Sequence, residues 1–280
     1  MALTFFQRRA LRQLQKAAHK RPDEPLSQED WATYFQFASE NGHRRFSRLL
    51  TSIPSSPRCG FCGAPFAGLG NRVLAPLGYR PSRKNPNICD VCIELSPPGG
   101  MTTEAGVLFA DVRGFTALAE GMDPQQTTVL LRRFYGCAER VLFPEALIDK
   151  LIGDEVMALY LPGYLRVEGR ATVAPLMLDH ARALLASVGY GAPDGPFVEL
   201  GIGIDYGEAF VGNIGHGAVH DFTAIGDVVN TAARLQGQAG GGEIVVAERV
   251  VEGLDAPPGE AVTLAVKGKD RPVAARRIAV

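Results

Sequence analysis

No uncharged apolar run in this 280-residue chain approaches the roughly 20 residues that a membrane-spanning helix needs. Five cysteines are too few for a secreted disulfide framework at this length. Met1 to Pro22 carries Arg8, Arg9 and Arg12 but no apolar stretch followed by a small-residue cleavage site, so no secretory signal is expected there. The expected compartment is therefore the cytoplasm. Internal repeats and low-complexity tracts are absent too. Hydrophobic residues at 46% against 21% charged exclude full disorder, collagen and coiled coil. What remains is an ordinary globular chain with material for a real core, either one large domain or a medium domain with an appendage.

The net charge of −1 hides an asymmetry. Residues 1–100 hold 14 Lys and Arg against 7 Asp and Glu, which leaves 15 basic against 23 acidic residues in the remainder. Such a split favours two units with different tasks. The tract Arg8, Arg9, Arg12, Lys16, Lys20 and Arg21 interleaves with Leu3, Phe5, Phe6, Leu11 and Leu14 and reads as a basic amphipathic helix. A helix of that kind can lie on an anionic membrane surface or pack on a partner. A second helical stretch is expected near Gln28–Leu50, completing a helical region over 1–52. Residues 53–100 are rich in Gly and Pro and end in Pro97-Pro98-Gly99-Gly100, a linker.

From residue 101 onward strands alternate with helices. Val107–Val112 is a short apolar strand, and Asp123-Pro124 caps and opens a helix to about Leu142. Strands near Ala146–Leu151 and Val156–Leu161 bracket the turn Ile152-Gly153-Asp154-Glu155. A helix over Ala174–Val188 follows, then a strand pair, Val198–Asp205 and Ala209–Asn213, separated by Tyr206-Gly207. Val228–Gln238 is helical, with Glu243–Val246 and Val262–Val280 supplying the last strands.

Two carboxylates stand out. Asp111 ends an apolar strand and Asp154 sits in a Gly-Asp turn. Carboxylates at strand ends beside glycine turns can converge on a hard cation, because Mg2+ prefers a few carboxylates together with phosphate oxygens. The small Gly114 lets backbone N–H groups approach those phosphates.

These residues resemble the catalytic domain of class III nucleotidyl cyclases. The resemblance covers about Glu104–Val280 through four motifs in the family's order: FADVRGFT (Phe109–Thr116), KLIGD (Lys150–Asp154), TAIGDVVNTAAR (Thr223–Arg234) and VKGK (Val266–Lys269). It implies an α/β (α+β) fold, a ferredoxin-like βααββαβ palm over 101–280. It also implies attack of a ribose 3′-oxygen on its own α-phosphorus with loss of pyrophosphate, assisted by two Mg2+ or Mn2+ ions per site. On this resemblance Asp111, Asp154 and the Val112 carbonyl hold the metals. Arg113, Gly114, Phe115 and Thr116 form the phosphate turn, with Lys267 as a further phosphate contact. Asn230 and Arg234, four apart on one helix face, orient the ribose and stabilise charge at the five-coordinate phosphorus.

The purine is read from hydrogen-bond chemistry. Adenine presents an acceptor at N1 and a donor amine at N6. Lys150 only donates and suits N1, while the Thr223 hydroxyl can accept from the amine. Guanine reverses both edges, so ATP is the expected substrate. Guanylate-cyclase members carry an acidic residue where Lys150 stands. Only one such unit fits in the chain, so the resemblance implies a homodimer with two equivalent sites. Asp111 and Asp154 then come from one subunit and Lys150, Thr223, Asn230 and Arg234 from the other. The stretch Gly201–Gly215 resembles the family's dimerisation hairpin.

Cys59-Gly-Phe-Cys62 and Cys89-Asp-Val-Cys92 form two CxxC pairs within the 53–100 segment. Two such turns can make a tetrahedral S4 site. Structural zinc is the first expectation, with an iron–sulfur cluster or a thiol redox switch as alternatives. Arg72, Arg80, Arg83 and Lys84 surround the pairs. Neither helix–ligand–helix spacing nor an aromatic platform accompanies them, so nucleic acid is not an expected partner.

Overall fold

In the computed structural model the described residues are 53, 55–59, 62–82, 86, 88–91, 99–143, 145–165, 167, 169–216, 219–266 and 271–280. The basic N-terminal helix, its successor near Gln28–Leu50, Cys92 and Lys267 lie outside them. Two compact units emerge. One runs to Thr103 and includes Phe210–Ile225; the other comprises Glu104–Ala209 and Gly226–Val280. No helix among the described residues is long and apolar enough to cross a membrane.

The first unit carries α1 (Gly68–Leu74) followed by a 3-10 turn over Ala75–Leu77. The chain then alternates β1 (Gly99–Val112), α2 (Phe115–Glu120), α3 (Pro124–Leu142), β2 (Leu147–Ile152), β3 (Glu155–Tyr160), the short α4 (Pro162–Leu165), α5 (Gly169–Val188) and β4 (Leu200–His216). After these come β5 (Val219–Ile225), α6 (Asp227–Gln236), β6 (Glu243–Ala247), α7 (Glu248–Val251), β7 (Glu260–Leu264) and β8 (Val273–Ala279). Strand order in the sheet is β2-β3-β1-β4-β6-β8-β7, with β5 paired to β4. Apart from the short α4, the order up to β4 is the expected βααββαβ palm.

Local chemistry explains the elements. Asp123 caps α3, accepting from the N–H groups of Gln125 and Gln126, while the Gln126 side chain accepts from the Asp123 N–H. Pro124 adds its preset φ at the first helical position. Phe134, Cys137, Ala138 and Leu142 then recur on one buried face. That face joins Leu108, Ala110, Val156 and Ala158 of the sheet and Met177, Ala181, Leu184 and Leu185 of α5 in one core. Each fully buried large side chain contributes about 1.5–3 kcal/mol.

The expected strand pair at Val198–Asp205 and Ala209–Asn213 is instead one continuous 17-residue strand, β4. Tyr206-Gly207 makes no turn, and Gly207 is not among the glycines with positive φ. Buried apolar positions change parity there, from Ile202, Ile204 and Tyr206 to Ala209 and Val211, which mimics a break in the pattern. The true hairpin joins β4 to β5, in register from Phe210–Ile225 to His216–Val219. Helix α5 also starts earlier than the expected Ala174, with Pro175 inside it.

Helix α6 is seated by a close approach and by charge. A Cβ on Gly203 would fall 2.2 Å from the Gln236 nitrogen and 2.3 Å from the Ala232 carbonyl, so only glycine admits the helix against β4. The fully buried Asp205 is gripped by both arms of the Arg249 guanidinium, whose Nε lies 2.6 Å from Oδ1. Burial pushes the Asp205 carboxyl up, and Arg249 opposes it. The same guanidinium reaches Asp227, the first residue of α6, at 3.9 Å.

A pH dependence follows from Tyr160 and His180. The Tyr160 hydroxyl is fully buried and lies 2.9 Å from His180 Nδ1. Burial pulls the His180 pKa below its ordinary 6.5, with Glu145 and Asp179 acting in the opposite sense. The unfolded chain therefore takes up this proton first. Stability is fully present above about pH 6.5 and is lost as pH falls towards the lowered value. His180→Gln is expected to lose less melting temperature than the parent between about pH 7.5 and about pH 5.5, as calorimetry can read.

Candidate active site

Antiparallel pairing sets Asp111 at the end of β1 opposite Glu155 at the start of β3. The Val112 N–H donates to the Asp154 carbonyl at 3.2 Å, tying the β2–β3 turn to the end of β1. Gly153, at φ +61, makes that turn possible, and the Tyr135 hydroxyl donates to its carbonyl. The result brings Asp154 close enough for its charge to raise the pKa of Asp111. Arg113 donates to Asp111 Oδ2, and its guanidinium also reaches the carbonyls of Gln236 and Ala239 at 3.5 and 3.4 Å. Gln236, only 5% exposed, donates from Nε2 to Asp111 Oδ2 at 3.0 Å.

Asp111 and Glu155 thus share the field of one guanidinium. Burial pushes Asp111 up to about 6; Arg113 opposes the shift and Asp154 adds to it. Burial, then the charges of Asp111 and Asp154, push Glu155 up to about 7. A divalent cation fits such a place, because its charge offsets the burial and the repulsion that push Asp111 and Glu155 up. Asp111, Asp154 and the adjacent Val112 carbonyl offer hard oxygen atoms of the kind such an ion takes.

Gly114 has φ +67 and caps α2, with nothing within 4 Å of where a Cβ would stand. Phe115 and Thr116 open that helix, where first-turn N–H groups have no intrahelical acceptor. Thr116 is exposed and Phe115 half-buried. Lys150 lies on β2 just after a register shift that leaves Asp149 as an extra residue. Its ammonium lies 3.6 Å from the buried Asp149 carboxylate. Asn230 and Arg234 share α6, the first exposed and the second half-buried. In the other unit Thr223 is buried on β5, opposite Gly212 of β4. Cys59, Cys62 and Cys89 gather in that same unit.

Sequence reasoning missed Glu155, Gln236 and Asp149. Glu155 directly follows Asp154, so its place in the acidic cluster was within reach of inspection. Gln236 carried a fainter signal, a polar residue at a core-facing position of an amphipathic helix.

A βααββαβ palm with its acidic pair at adjoining strand ends is the architecture of a nucleotidyl cyclase catalytic domain. The family model for the adenylate and guanylate cyclase catalytic domain matches residues 100–273, and the chain belongs to that family. An adenylate cyclase from Anabaena cylindrica is 32% identical over 183 residues, 61% of this chain and 36% of the relative. The chain therefore spans only about a third of that protein's length. Among solved structures, the adenylyl cyclase CyaB from P. aeruginosa is similar with a TM-score of 0.54 and 26% identity, covering 64% of this chain and 95% of that one. The guanylyl cyclase Cya2 is similar with a TM-score of 0.52 and 26% identity, covering 64% and 93%.

Proposed function

We propose that this protein is an adenylate cyclase that converts ATP to 3′,5′-cyclic AMP and pyrophosphate in a homodimer with two equivalent sites. The observation that carries the reading is the tie from the Val112 N–H to the Asp154 carbonyl at 3.2 Å, which with the pairing of Asp111 and Glu155 brings the three acidic residues to one end of the sheet. In the reaction the ribose 3′-oxygen bonds to the α-phosphorus, the bond to the bridging oxygen breaks, pyrophosphate departs and the hydroxyl proton is released. Divalent ions held by Asp111, Asp154 and the Val112 carbonyl would neutralise phosphate charge and ease loss of that proton.

The chain's own groups do the rest. N–H groups at the start of α2, past the open space at Gly114, receive phosphate oxygens, and Lys267 adds a charge to them. Arg113, committed to Asp111 and to two carbonyls, acts mainly by fixing the Asp111 carboxylate. Asn230 orients the ribose, and Arg234 offers a planar guanidinium to the charge developing at phosphorus. A guanine edge leaves Lys150 facing a donor, a mismatch of about 1–3 kcal/mol once the bound base excludes water.

Relatives do not decide the purine, since they include proteins named as adenylyl and as guanylyl cyclases. Lys150 and Thr223 support ATP. Turnover of ATP and GTP by purified protein with Mn2+ tests the proposal, and faster GTP turnover by the parent would reverse the choice. Lys150→Glu is expected to lower the ATP-to-GTP ratio of kcat/KM by at least about tenfold.

A further inference from the structure

We infer that Cys59, Cys62 and Cys89 bind a single zinc ion as thiolates, and that this ion rather than an iron–sulfur cluster holds the residue 55–91 module together. The three side chains are 2%, 1% and 0% exposed, and their sulfurs all lie within 4.8 Å of one another. Cys62 Sγ and Cys89 Sγ are 3.7 Å apart. Two thiolates at the tetrahedral angle on one zinc, with bonds of about 2.3 Å, stand about 3.8 Å apart. A disulfide needs a far shorter separation. Iron–sulfur clusters distribute their thiolates over different irons, with bridging sulfides between them, and so hold at least some of the ligating sulfurs wider than this. Convergence of three sulfurs on one point is the geometry of one ion.

Backbone geometry shapes the cradle. The Cys59 N–H donates to the Ala64 carbonyl at 2.9 Å and the Gly63 N–H to the Cys59 carbonyl at 2.8 Å, closing a tight turn. The Cys89 N–H donates to Cys59 Sγ at 3.4 Å, a bond that favours the thiolate and orients it. Such a staple suits the module. Among the described residues its buried apolar side chains besides the cysteines are Ala64, Pro65, Phe66, Ile88 and Val91, and its strand pairing is limited to the bridges Arg58–Pro65 and Pro81–Cys89. Over a segment of about 40 residues, a metal held by three buried thiolates adds to what these side chains contribute against chain entropy.

The test uses the full chain purified without added metal. Elemental analysis is expected to find one zinc per chain from the module and no acid-labile sulfide. Exchange with Co2+ should give intense thiolate-to-cobalt charge-transfer absorption with tetrahedral ligand-field bands, and Cys62→Ser should lose both. In the parent protein, chelation should open at least three thiols to a thiol reagent and zinc should close them again, a readout independent of whether the variant folds. Iron with labile sulfide would overturn the inference, as would a metal-free chain that takes up no Co2+ and whose thiols zinc does not protect.

Discussion

Asp111→Asn is expected to abolish cyclic-nucleotide formation while leaving the fold intact. An amide offers one neutral oxygen where the carboxylate offered charge, and loss of divalent-ion stabilisation of several kcal/mol corresponds to about a thousandfold or more in rate. Asp154→Asn should behave alike. A stability measurement separates this from mere misfolding. Asp111 and Glu155 hold protons at about 6 and about 7 where the ordinary values are 3.8 and 4.5. The folded chain therefore binds protons that the unfolded chain has released. These groups weaken the metal-free protein as pH rises from about 4 to about 7, and the penalty persists above that range. An uncharged residue at 111 relieves it. The variant's melting temperature at about pH 8 without divalent ions should thus not fall below the parent's. Added Mn2+ should raise the parent's melting temperature and leave that of the variant unmoved, because only a bound ion shifts the folding equilibrium. An active Asp111→Asn enzyme would sink the reading of this site.

What is legible in the sequence depends on the range of the forces involved. Helix α3 was legible because its signals are local: an Asp-Pro cap, a reciprocal Gln126 and apolar residues at helical spacing. The β2–β3 turn was legible for the same reason. Gln236 on Asp111 was not, because that contact exists only through the close approach of α6 to Gly203, a tertiary fit between residues far apart in sequence. The pairing that faces Asp111 with Glu155 is likewise a matter of strand register. Arg113 illustrates a different gap: the resemblance implied a place in the phosphate turn, yet its guanidinium is occupied by the carboxylate and carbonyl of Asp111 and by two further carbonyls. The long β4 shows that a parity change in the apolar pattern does not require a turn.

Mixing two inactive variants is expected to restore activity. Asp111→Asn damages the acidic half of the proposed site and Arg234→Ala the half that meets the α-phosphorus, so each homodimer is dead. In a dimer containing one chain of each kind, one site takes Asp111 from the Arg234→Ala chain and Arg234 from the Asp111→Asn chain, and is intact. The other site carries both lesions. Co-expression at equal amounts makes about half the dimers mixed, each with one working site of two, hence about a quarter of the parent activity. If instead one subunit supplied both residues to the same site, every site in the mixture would carry a lesion and turnover would stay at background. Lys150 and Asp154 sharpen the test because they share one hairpin. Under the two-chain arrangement they serve different sites, so pairing Lys150→Ala with Asp111→Asn should recover activity, whereas pairing Asp154→Asn with Asp111→Asn should not. That pattern of rescue and failure follows from chemistry divided between two subunits, and no single-chain site reproduces it.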